Sequence, residues 1–136
     1  MAARSKARKR ALDVLYEADI RNLPPLDVLA AHEAQAENQM NPYVRELVEG
    51  VATHAARIDE LLATYAQDWS LERMPTVDRN VLRLGAWEIL WADVPAPVAL
   101  SESVTLVTSL STEESGPFVN GLLARLVQVK PRLVLD

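Results

Sequence analysis

The segment Val77-Asp-Arg-Asn-Val-Leu-Arg-Leu-Gly-Ala-Trp-Glu-Ile-Leu-Trp91 decides the architecture. Its spacing is helical, yet Val77, Val81, Leu82, Leu84, Trp87, Ile89, Leu90 and Trp91 point in nearly every direction around the axis. A helix apolar almost all round is a buried one, so this segment is expected to be the central strut of the fold. Thr76 can cap its start, and Asp78 suits the positive end of the helix dipole. Glu88 falls on an apolar arc, where a buried carboxylate needs an ionic or hydrogen-bonding partner.

The flanking sequence reads as further helices. Asp93-Val-Pro-Ala-Pro97 ends the strut and starts the next helix, with Pro97 near its first turn. Val98, Ser101, Val104, Val107 and Leu110 form that helix's face, and small Ser101 and Thr105 permit a close helix contact. Ser111 to Pro117 is a polar loop in which Ser115 can cap the last helix and Pro117 lies just inside it. The last helix buries Phe118, Leu122, Leu126 and Val129 and stops at Pro131.

On the N-terminal side, Trp69 to Pro75 is a connector with a short turn at Leu71–Arg73. Before it, Tyr43, Leu47, Val51, Ala55, Ile58, Leu62 and Tyr65 keep a helical rhythm behind an Asn41-Pro42 start. Gly50 interrupts that rhythm at about 1 kcal/mol relative to Ala. Either close packing compensates or two helices meet, and a bend or break is expected near Thr53-His54. An alanine-rich, weakly held helix runs from Leu26 to near Gln39, after Pro24-Pro25 stop the first helix. Helices on short loops, with no period-2 strand, make an all-α bundle.

Composition agrees. Hydrophobic residues make up 49% of the 136, with only four Gly, which suits one packed helical domain. No apolar run approaches about 18 residues, and the N-terminus lacks an apolar signal core. The absence of cysteine excludes disulfides and thiolate chemistry and fits a cytoplasmic protein. His32 and His54 lie on different helices without a metal-ligand spacing, and no glycine-rich loop follows a strand. Glu113-Glu114 and Asp59-Glu60 read as solvated pairs. The expectation is a protein that is not an enzyme and carries no cofactor or metal.

The first helix, Arg4 to Ile20, carries the charge asymmetry. Arg4, Lys6, Arg8, Lys9 and Arg10 give the first ten residues five cations and no acid; with a chain total of −5, the remainder carries −10. Cations at a helix N-terminus oppose the dipole, and a broken local rule is where function is sought. Ala7, Ala11, Val14, Leu15 and Ala18 form one face, while Lys9, Leu12, Tyr16 and Ile20 form a second, outward stripe. On charge alone, an anion-binding arm and a solvated tail both remain open.

Three segments together resemble the NusB family of transcription antitermination factors. They are Arg4–Tyr16, the strut Val77–Leu90, and Asp93-Val-Pro-Ala-Pro-Val-Ala-Leu-Ser-Glu102 with its spacing to Phe118-Val-Asn-Gly-Leu-Leu123; Gly50-Val-Ala-Thr53 adds to them. The resemblance covers nearly the whole chain. It implies about seven helices in two small packed bundles, approximately residues 1–68 and 69–136 of a single domain. It also implies binding of boxA RNA with ribosomal protein NusE, alongside other Nus factors and RNA polymerase, in support of ribosomal RNA transcription.

Position by position, the resemblance implies RNA contacts from Arg4, Lys6 and Arg8 of the basic arm, and from Tyr16, Glu114 and Phe118; Lys9, on the outward stripe with Tyr16, is expected to join them. It implies partner contacts from Tyr16 and Asp78. Gly116-Pro117 stand where the family can carry a basic residue, so no charged contact is expected there. Cations and stacking aromatics are what single-stranded RNA requires. The alternative is a homodimeric helical scaffold with its RNA surface masked or absent, suggested by the outward stripe and the acidic body.

Overall fold

The computed structural model describes residues 2–67 and 69–136. Among these, seven α-helices follow one another and no strand occurs: α1 (Ala2–Arg21), α2 (Pro25–Gln35), α3 (Pro42–Thr53), α4 (Ala55–Tyr65), α5 (Thr76–Leu90), α6 (Ala96–Leu110) and α7 (Ser115–Val129). Short 3-10 turns occupy Leu71–Arg73 and Lys130–Arg132. None of the helices is long and apolar enough to cross a membrane.

The strut is where the sequence puts it. Ten of the 15 residues of α5 are buried, and it packs against α1, α3, α4, α6 and α7, which accounts for its lack of a polar face. α1, α2 and α3 pack on one another, α6 packs on α7, and α5 touches both groups. The expected boundary at residue 68 falls at a position outside the described residues.

Two glycines explain how the helices approach so closely. A Cβ built at Gly50 would lie 2.1 Å from Cε2 of Trp87, so α3 crosses α5 only because residue 50 has no side chain. A Cβ at Gly85 would lie 2.6 Å from Cδ1 of Leu123 and 2.7 Å from Oγ of Ser103. The small residue that brings α6 onto α5 is therefore Ser103, which is buried. The expectation for Ser101 and Thr105 is corrected, because both are exposed.

The break at His54 is present, between α3 and α4, and its ring stacks on Trp91 with centroids 4.2 Å apart. Asn41 caps α3 by accepting the Tyr43 N–H at 2.9 Å. Other helix ends differ from expectation. α2 stops at Gln35 rather than Gln39 and buries only Val28 and Leu29. Thr76 lies inside α5, with Pro75 at the cap and no side-chain bond to it. Ser115 is likewise the first residue of α7, not its cap, because its hydroxyl is taken by Asp78. Lys130 donates to the Ile89 carbonyl at 2.8 Å, placing a cation at the negative end of α5.

The Gly50–Trp87 crossing gives a test. On an exposed helix, Gly50→Ala would stabilise by about 1 kcal/mol through propensity. Here the methyl group must displace an indole ring, and overpacking is expected to destabilise by about 1–3 kcal/mol in urea unfolding. A variant more stable than the parent would show that the crossing is not tight.

Candidate functional site

The N-terminal cations divide sharply. Arg8 is buried, at 5% exposure, on the face of α1 that meets α5. Its Nε lies 2.9 Å from Oε1 of Glu88, its Nη2 2.9 Å from Oε2, and its Nη1 donates to Oε1 of Glu102 at 3.0 Å. The Tyr43 hydroxyl donates to the same Glu88 carboxylate, and Ser5 donates to Glu102 at 2.6 Å. Glu88 therefore has the partners its buried position demands, drawn from α1 and α3.

Burial works against the Arg8 charge, but the hydrogen bonds and charge of Glu88, with Tyr43 and Glu102, hold its pKa above the ordinary value. For Tyr43, burial and then the bond to Glu88 both push the phenol up. Among the described residues no buried side-chain nitrogen or oxygen lacks a partner. Arg8 is thus not a free cation of the arm, and its expected place as an exposed RNA contact is corrected: its planar fork is engaged by two carboxylates.

The other cations face solvent. Arg4 lies over the Tyr43 ring, 4.3 Å from its centroid, which fixes it by a cation–π contact while leaving it exposed. Lys6 and Arg10, one turn apart, are exposed beside the α2–α3 loop and line an open groove with Met40 and Asn41. Lys9 pairs with Asp13 at 2.7 Å, an exposed bond worth only about 0.3–0.5 kcal/mol and easily exchanged for another anion. Tyr16 is 41% exposed and Ile20 59%, so the outward stripe is real; Leu12, assigned to it, is buried instead.

A second polar clamp joins α1 to α5 farther along. Asp19 accepts from Arg79 Nε at 3.0 Å, Asn80 Nδ2 at 2.9 Å and Arg83 Nη1 at 3.2 Å, and Arg83 in turn binds Asp59 of α4. Burial pushes the Asp19 carboxyl up, but the bonds from Asn80 and Arg79 and the charges of Arg79 and Arg83 outweigh it and hold the pKa below the usual range. The two clamps make α1 antiparallel to α5 and set the register of the arm.

Asp78 occupies the other end of α5. It is 3% exposed and accepts from Ser111 at 2.6 Å and Ser115 at 2.7 Å. Its expected place at a partner-facing edge is corrected: its carboxylate fastens the α6–α7 connection to α5. Above it a concavity is walled by Trp69 and Phe118, whose rings are 6.2 Å apart and tilted by 55°, with exposed Glu114 at the rim. Phe118 is half-buried and Trp69 48% exposed. Trp69 carried no sequence signal beyond being an aromatic in a polar connector. Glu88 and Asp78 are about 15 Å apart along α5 at about 1.5 Å per residue, so the arm and Phe118 mark separate ends of the strut.

This chain matches the model of the NusB family over residues 5–128. It belongs to the NusB family. It is 56% identical to a transcription antitermination protein NusB of Arthrobacter sp. over 135 residues, covering 98% of this chain and 99% of that one. A NusB of Nocardioides sp. is 57% identical over 134 residues, covering 98% and 99%. Among solved structures, one of the antitermination factors NusB and NusE in complex with dsRNA superposes with a TM-score of 0.83. It is 29% identical and covers 95% of this chain and 98% of that one.

Two outcomes follow from the clamps. Arg8→Ala strands Glu88 and is expected to cost about 3–5 kcal/mol in chemical denaturation, whereas Arg4→Ala with Lys6→Ala should change stability by no more than about 0.5 kcal/mol. Equal, small effects would place Arg8 in solvent. The Asp19 contribution, from a depressed pKa, is present above the ordinary carboxylate range and lost as pH falls through the folded-state value. Asp19→Asn should therefore lower thermal stability near neutrality and flatten its fall in acid; an unchanged acid slope would contradict the clamp.

Proposed function

We propose that this NusB-family protein is a transcription antitermination factor that binds boxA-type single-stranded RNA together with ribosomal protein NusE. In this reading it acts in the cytoplasm with other Nus factors and RNA polymerase to support transcription of ribosomal RNA. The observation that carries the reading is the arm: Arg4, Lys6, Lys9 and Arg10 are exposed on one anchored helix of an otherwise acidic chain. The similar structure of NusB and NusE in complex with dsRNA supports RNA and NusE as partners of this chain.

The chemistry is that of a weak RNA binder needing help. Exposed cations neutralise phosphates and release counterions, and Tyr16 and Phe118 offer ring faces for unstacked bases. The formal charge of −10 outside the first ten residues repels RNA elsewhere, so a basic co-binder raises affinity by extending the positive surface. Tyr16 and Ile20, apolar and exposed on the outward stripe, provide a place for a protein partner. The same stripe would serve a homodimer, and light scattering over a range of concentrations separates the two: a monomer that becomes a one-to-one complex with NusE supports the heterodimer.

Fluorescence anisotropy with boxA RNA, with and without NusE, tests the RNA reading. Replacing Arg4, Lys6 and Lys9 by Ala is expected to weaken binding and lower the salt slope by about 0.7 for each phosphate no longer neutralised. An unchanged affinity and slope would remove the arm as the RNA site.

A further inference from the structure

Two of the four glycines are required by internal packing, a third is tightly packed, and the fourth is neither. Gly50, Gly85 and Gly116 would each place a Cβ within 3.0 Å of a neighbouring side chain. A Cβ at Gly121 would meet no described atom within 4 Å, and no glycine takes a positive φ. Gly121 nevertheless stands inside α7, where glycine is among the poorest residues. Nothing within the described fold uses the space that its missing side chain leaves open.

That space is part of a groove of about 430 Å³ beside α7. Tyr65, Trp69 and Phe118 line it, three of the seven aromatic residues in the chain. Arg125 lines it too, two turns beyond Phe118 on the same helix face, exposed and without an ion pair among the described residues. Aromatic faces beside a free cation suit a nucleotide of a single strand, whose base stacks and whose phosphate pairs.

We propose that this groove is a nucleotide subsite for single-stranded RNA: a base lies flat against α7 over Gly121, stacked on Trp69, and its phosphate pairs with Arg125. The subsite rests on the RNA-binding reading and extends the RNA path past Phe118 along α7.

The test uses the full chain and fluorescein-labelled single-stranded boxA RNA, with and without NusE. A Cβ at Gly121 meets open space, so Gly121→Leu is expected to enter the groove with a melting temperature equal to or above that of the parent. Gly121→Leu and Trp69→Ala are expected to weaken RNA binding about five- to a hundredfold. Arg125→Ala should lower the salt slope by about 0.7. If these variants bind RNA as the parent does while an Arg4→Ala, Lys6→Ala variant loses it, the groove is not an RNA subsite and the arm reading stands. If neither set alters binding, both readings fall. Loss of NusE binding with RNA binding intact would assign the groove to a protein partner and overturn the proposal.

Discussion

The buried pair between Arg8 and Glu88 is the constraint on which the remaining structure depends. Glu88 sits on the one helix that touches most of the others, so its charge must be met from inside the protein. Arg8 supplies it from α1, Tyr43 from α3, and Glu102 ties the guanidinium to α6. Four helices therefore converge on one set of charged hydrogen bonds. Such an arrangement adds little net stability over apolar packing of similar volume, but it is costly to break on one side only. Its effect is to fix position: the first turns of α1 can lie in only one register against α5.

That register sets which cations of the first helix face water. A strongly basic N-terminal segment on an acidic protein would ordinarily fray, since its cations oppose the helix dipole. Here Arg8 anchors it, Arg4 is laid on the Tyr43 ring, and Lys6, Lys9 and Arg10 are left facing water. One cation is buried so that its neighbours can be displayed. At the far end of α5, Asp78 plays the matching part, holding the start of α7 through Ser111 and Ser115 while Phe118 and Trp69 form a wall at the surface.

Much of this is legible in the sequence because it depends on local pattern. The all-round apolar Val77–Trp91 segment marks α5, the prolines and Asn41 mark helix starts, and the unfavourable Gly50 marks a close crossing. Glu88 can be recognised as needing a partner, but not as needing Arg8: the two are 80 positions apart, and Arg8 looks the same in sequence as the exposed cations beside it. Asp78 is ambiguous for a related reason. An acid in the first turn of a helix suits the dipole whether exposed or buried, and only the tertiary placement of Ser111 and Ser115 shows which. Trp69 belongs to a connector with no periodicity, so nothing in its surroundings signals a partner in Phe118.

On the proposed reading, Arg8 positions the arm and does not itself meet the RNA. The most direct measurement is boxA RNA affinity of a folded variant whose buried cluster has been made apolar: Arg8→Met, Glu88→Leu and Tyr43→Phe together. Replacing all three removes the buried charges and the phenol together, leaves the half-buried Glu102 with its bond from Ser5, and keeps a ring beneath Arg4. The expected result is a cooperative thermal transition and an RNA affinity and salt slope close to those of the parent. A variant that folds equally well yet binds RNA more weakly, with a salt slope shallower by about one phosphate's worth, would contradict it.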